Sequence, residues 1–262
     1  MPASFTEVEA AALAPLVTMM EATDRWDAVR AARTWVLEQA GPGGTRPSLD
    51  VGCGPGTFGA AARRTGRRVV DVDRSAPMLA VARARSAGAP ATVADVARLP
   101  FRDGSAELVR CERTLQWTAD PGRALQELWR VTGDGGLLAV TDTDWGSLVV
   151  HAPERWMTEA LGAAALGWVP HPRLASTLAD RLGALRSASV ARREDVVVVD
   201  AWDPADPSQA DGPPGLPLHS IAAGATEADR DAVDRALDAV AAAAHEGVFR
   251  AELRIITVVA RR

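Results

Sequence analysis

The stretch SLDVGCGPGTFG, residues 48–59, runs from a short apolar strand into a glycine-rich turn, and the residues around it have the types and spacing to hold a nucleoside. Gly54, Gly56 and Gly59 satisfy G-x-G-x-x-G, a pattern that leaves main-chain N–H groups at a helix start free to face a ligand. Carboxylates recur where successive strands should end: Asp50 before the turn, Asp73 after VVDV and Asp95 after ATVA. A carboxylate at the position of Asp73 can accept from both hydroxyls of a ribose. Asp95 can accept from the amine of an adenine. Asp71, two residues before Asp73, is expected to alternate to the other face.

Asp50 discriminates between ligands. Its charge would repel the pyrophosphate of a nicotinamide dinucleotide by on the order of 1 kcal/mol or more in a partly dry site. It would instead attract the ammonium group of S-adenosylmethionine, directly or through water, while the glycine amides receive the methionine carboxylate. A turn-capping role for Asp50 is the competing reading.

The elements that must position these residues follow from periodicity. Two helices come first, TEVEAAALAPLVTMM, broken at Pro15, and DRWDAVRAARTWVLEQA, with Trp26, Val29, Ala32 and Val36 at helical spacing. Strands and helices then alternate through GGLLAVTDT, which indicates a parallel sheet covered by helices on both faces. Asp120 and Pro121 open one of these helices as N-cap and first residue. After the fifth strand the rhythm changes to helices at 153–168 and 171–184 and a strand, EDVVVVDAW. A loop with five prolines follows at 203–217, read as a surface loop. Thr226 and Asp229 form a capping box for a helix ending near 244, and AELRIITVVARR closes the chain as a strand. The expectation is one Rossmann-like α/β domain over 1–262. It has a seven-stranded, mostly parallel sheet ending in an antiparallel pair. Its parts are N-terminal helices (1–47), a core (48–146), a helical cap insertion after strand five (147–192) and late strands (193–262).

Composition excludes several classes. The net charge of −5 is opposite to that of a typical nucleic-acid binder. No 18-residue apolar run offers a membrane span, and the acidic N-terminus does not read as a signal peptide. Cys53 and Cys111 form neither a C-x-x-C pair nor a disulfide framework, so no metal site is expected and the expected location is cytoplasmic. Serine-hydrolase, P-loop and zinc-protease motifs are absent. The chain has no tyrosine to serve as a base.

LDVGCGPG, VVDVDRSAPML, ADVARLPF, ELVRCERTLQW with ADPGRALQELWRVT, and GGLLAVTDTDW resemble, in order and spacing, the motifs of class I S-adenosylmethionine-dependent methyltransferases, nearest the small-molecule branch described as ubiquinone/menaquinone-biosynthesis-like. The resemblance covers about residues 48–146. It implies cofactor contacts at Gly52, Cys53 and Gly54, at Asp73 with Arg74 and Met78, at Asp95 with Val96, and at Cys111, Glu112 and Arg113. It further implies that Arg30 or Arg33 meets the methionine carboxylate. Two departures stand out: GDGG replaces a Pro-Gly-Gly turn, and Trp117 stands where relatives often carry histidine.

Four residues are candidates for the chemical step. Asp144, just past strand five, and His151 and His171, which flank the cap insertion, are candidate bases. Trp117 would pack against the reacting methyl. Trp145, Trp156 and Trp168 are expected to wall a substrate chamber. Arg63, Arg64, Arg67 and Arg68 read as solvated surface. The expected activity is methyl transfer to a small, largely apolar metabolite, with the oligomeric state, monomer or homodimer, left open. The alternatives are a cofactor-retaining cyclisation, decarboxylation or rearrangement, a non-catalytic partner subunit of the same fold, and a nicotinamide oxidoreductase.

Overall fold

A computed structural model describes residues 10–262. Its helices are α1 Ala10–Thr23, α2 Asp27–Ala40, α3 Thr57–Arg64, α4 Ala76–Arg85, α5 Pro121–Val131, α6 Arg155–Trp168, α7 Leu174–Gly183, α8 Leu218–Ala222 and α9 Arg230–His245. Its strands are β1 Ser48–Val51, β2 Val69–Asp73, β3 Ala91–Val93, β4 Ala106–Glu112, β5 Thr132–Val150, β6 Ser189–Val199 and β7 Ala251–Arg261. They form one sheet in the order β3-β2-β1-β4-β5-β7-β6, with β1 to β5 parallel and β7 antiparallel to both its neighbours. This is the seven-stranded, mostly parallel architecture expected. The order reverses between β1 and β4, and the carboxyl ends on either side of that switch open a crevice.

Local chemistry sets the element ends. Ser75 caps α4 by accepting from the Met78 N–H, and Asp120 caps α5 by accepting from the Arg123 N–H. Thr226 donates to Asp229 at 2.6 Å, but this pair opens a single 3₁₀ turn before α9 begins at Arg230.

Three expectations need correction. Helix α1 runs through Pro15 rather than breaking there, because an interior proline removes only one helix hydrogen bond where packing can offset the loss; residues 6–9 of that expected helix lie outside the described residues. Strand β5 continues to Val150, so the cap insertion begins beyond 147: a register shift between Asp144 and Val149 lets the strand resume pairing with β7. The 203–217 segment is a loop but not a superficial one, since Leu216 is fully buried and Gly212 and Pro213 are buried beside it.

The arginine cluster also departs from a solvated face. Arg63 pairs with buried Asp71 at 2.7 Å. Arg67 is buried and reaches Glu107 at 3.2 Å and the Gly41 carbonyl. Their long stems carry the guanidiniums inward to acids and carbonyls, while Arg64 and Arg68 stay exposed.

Candidate active site

A cleft of about 560 Å³ lies over the carboxyl ends of β1, β2 and β4, roofed by α1 and by residues 215–217. It has three parts: a polar end on β2 and β3, a charged middle, and a tryptophan-lined end.

At the polar end, Gly52 leaves β1 at φ +70, and a Cβ there would stand 2.1 Å from the Thr114 hydroxyl, so the turn requires glycine. The amides do not face the ligand as expected. Gly52 and Cys53 both donate to the Val72 carbonyl, and Gly54 donates to Asp73 Oδ2 at 2.9 Å. The turn makes room rather than donating. Asp73 also accepts from the Ser75 N–H at 2.8 Å, which leaves one further lone pair on each oxygen facing the cleft. Burial pushes its carboxyl above the usual range, against the pull of those two N–H donors. Arg74, Met78, Asp95 and Val96 line the same end, and Asp95 is anchored by the Ala97 N–H at 2.8 Å.

The charged middle alternates acid and base. Arg33 holds Glu112 through Nε at 3.1 Å and Nη2 at 2.7 Å, and Asp24 at 2.6 Å. Arg113, in a left-handed conformation at φ +51, joins Glu112 and Asp24 from the other side. Burial alone would raise the Glu112 carboxyl, yet the guanidiniums of Arg110, Arg33 and Arg113 hold it well below the ordinary range. Asp24 Oδ2 is buried with no hydrogen-bond partner among the described residues. Asp24 and Arg33 both line the cleft, so the belt offers one acid and one base to an amino-acid end.

Asp50, expected to attract the ammonium group, is absent from the cleft wall. It lies in register with Arg110 on β4 and is wholly buried in an ion pair with it at 2.5 Å. The guanidinium cancels the charge on which the discrimination against pyrophosphate rested. Cys111, the next residue on β4, is buried and also off the wall, and burial pushes its thiol up. Cys53 lines the cleft, its thiol likewise raised by burial.

At the third end Trp117, Trp145 and Trp168 meet edge to face, with centroids 5.3 Å apart for Trp117 and Trp168 and 4.5 Å for Trp145 and Trp168. Trp156 does not join them: it is on the surface, 5.1 Å from the Arg235 guanidinium. None of the three candidate bases is on the cleft wall. Thr143 and Trp145 both line the cleft, so strand alternation turns Asp144 between them to the opposite side. His171 is tied to the Thr118 carbonyl at 2.9 Å. His151 is half exposed and sits 3.5 Å from Glu252.

The sequence reading missed Asp24, Gln116, Gly215 and Pro217, all cleft-lining. Asp24 follows a helix with no motif around it, and only the fold brings residues 215–217 to the β1 turn. Gln116 is the exception, being adjacent to Trp117 in the quoted ELVRCERTLQW.

Residues 49–140 match a family described as the methyltransferase domain. A malonyl-[acyl-carrier protein] O-methyltransferase of Pseudescherichia vulneris is 39% identical over 108 residues, 40% of this chain and 43% of that protein. Residues 49–140 are thus similar to a methyltransferase domain. An uncharacterised 37.1 kDa protein of a Streptomyces fradiae transposon is 38% identical over 142 residues, 51% of this chain and 41% of that protein. The chain therefore spans about two fifths of the length of these relatives. The crystal structure of the YcgJ protein of Bacillus subtilis superposes with a TM-score of 0.60 at 18% identity, covering 89% of this chain and 99% of that one, and so shares its fold. Among the described residues no helix is long and apolar enough to cross a membrane.

Proposed function

We propose that this chain is an S-adenosylmethionine-dependent methyltransferase acting on a small, largely apolar acceptor. The observation that carries the reading is Asp73, held by the Gly54 and Ser75 amides at the mouth of β2 and opening into one continuous cleft that ends in three packed tryptophans. Bound there, S-adenosylmethionine would supply a methyl group already activated by its sulfonium. The residues present fit that ligand. Asp73 accepts from the ribose hydroxyls, and Asp95 with Val96 borders the adenine. Asp24 with Arg33 faces the zwitterionic end.

The protein's share of catalysis is alignment and exclusion of water. The indole faces of Trp117, Trp145 and Trp168 offer an apolar surface to the acceptor, and a face near a cation contributes roughly 0.5 to 2 kcal/mol. No proton need be stored in the wall if the acceptor is already a nucleophile.

Calorimetric titration with S-adenosylmethionine and S-adenosylhomocysteine tests the cofactor. Release of S-adenosylhomocysteine on turnover separates methyl transfer from a reaction that keeps the cofactor intact. Absence of binding would refute the reading.

A further inference from the structure

Gln116 is 3% exposed, yet it lines the cleft beside Trp117. An indole N–H can only donate, so the Trp145 Nε1–H 2.8 Å from the side chain fixes which end of the amide is the carbonyl. The NH₂ end is thereby turned away from Trp145. No described residue accepts from it, and it is not among the atoms sealed inside the protein, so it opens on the cleft. The backbone is clamped as well: the Gln116 N–H donates to Asp142 Oδ2 at 3.3 Å, and its carbonyl accepts from the His171 N–H at 3.2 Å. A donor held this rigidly in an apolar wall is costly to leave unpaired once a substrate excludes water.

The chain contains neither lysine nor tyrosine, and no histidine is on the described cleft wall. Of the acids on the described cleft wall, Asp73, Asp95 and Asp120 accept from main-chain N–H groups, Asp120 as the N-cap of α5. Asp24 and Glu112 are committed to arginines. Asp142 is fully buried behind Gln116 and is not on the wall; burial pushes its carboxyl up to about 8, so at neutral pH it places no full negative charge behind the amide. An alcohol, phenol, thiol or ammonium acceptor would have to lose a proton to something. A carboxylic acid, with a pKa near ~4, arrives ionised.

We propose that the Gln116 amide receives a carboxylate of the acceptor and that the product is a methyl ester, an inference that rests on the methyl-transfer reading above. One carboxylate oxygen accepts from Gln116 Nε2–H. The other forms the new C–O bond to the methyl carbon as the C–S bond breaks and its electron pair returns to sulfur. A carboxylate and a sulfonium become a neutral ester and a neutral thioether, and no proton is released. Gln116 thus sets acceptor specificity, while the tryptophans hold the apolar remainder.

The test uses full-length protein saturated with S-adenosylhomocysteine and three matched probe sets: benzoate, 2-naphthoate and decanoate, each against its alcohol or phenol and its primary amide. Calorimetry should show at least one acid binding roughly tenfold or more tighter than its partners, as expected for a hydrogen bond to a charged group. With S-adenosylmethionine, mass spectrometry should show that acid's methyl ester. In Gln116→Glu the side chain can still accept from Trp145 but presents oxygen to the cleft, so the preference should invert towards the amide while cofactor affinity is retained. Binding of no acid above its partners, methylation of the alcohols alone, or an unchanged preference in Gln116→Glu would each overturn the proposal. If S-adenosylhomocysteine itself fails to bind wild-type protein, the methyl-transfer reading falls first. If it binds and acids show no preference, only the Gln116 assignment falls. The wild-type comparison stands even if the variant is unstable.

Discussion

Replacing Arg110 by methionine should destabilise the protein severely. Arg110 is 4% exposed in its side chain, pairs with Asp50 at 2.5 Å, reaches Glu112 with its other nitrogen, and lies 3.9 Å over the Phe58 ring. Glu112 keeps Arg33 and Arg113 when Arg110 is lost. Asp50 keeps nothing: its side chain is 0% exposed, and its second oxygen already lacks a partner among the described residues. Breaking a buried pair on one side costs about 3 to 5 kcal/mol, because the remaining charge can neither hydrate nor leave. In a domain of this size that corresponds to a fall in Tm of roughly 6 to 20 °C, at about 2 to 4 °C per kcal/mol. A second substitution, Asp50→Leu, removes the stranded carboxylate, and the double variant should recover at least half of the loss. Calorimetry of both variants gives the comparison. A cost below about 1 kcal/mol for Arg110→Met, or a double variant no more stable than the single, would refute the argument.

Asp73→Ala should weaken S-adenosylmethionine binding at least tenfold by calorimetry, since hydrogen bonds to a charged acceptor contribute roughly 1.5 to 3 kcal/mol; unchanged affinity would remove Asp73 from the site. Asp142, whose carboxyl burial raises from 3.8 to about 8, should make wild-type stability fall as pH rises across that interval, because the unfolded chain releases the proton first. Asp142→Asn should lack that component, so the melting-temperature difference between variant and wild type should move in favour of Asn from pH 5 to pH 8, and parallel curves would contradict it.

The sheet, its late antiparallel pair, the glycine turn and the placement of Asp73 at a strand end all follow from short-range information: alternation, caps and spacing repeat within tens of residues. Residues two apart share a strand face, so alternation does not separate Asp71 from Asp73 as expected; Asp71 is instead claimed by Arg63 of α3. The same period would have turned Asp144 away from the cleft had the position of Trp145 been known, but a strand's phase relative to a crevice is set by the neighbours it packs against.

What only the tertiary structure decided is where charges find partners. Asp50 looks free in sequence because Arg110 is 60 residues distant, and parallel pairing of β1 with β4 sets them side by side. Asp24 and Arg33 become a site only when α1 and α2 close over β4. Residues 215–217 reach the cleft through a connection that no local motif announces. Gln116 becomes a donor only when Trp145 takes its carbonyl, and that contact requires β5 to pass behind the turn after β4. Local spacing determines which elements form and which backbone turns glycine must make; the charge and hydrogen-bonding state of a side chain is set by whichever groups distant in sequence are folded against it.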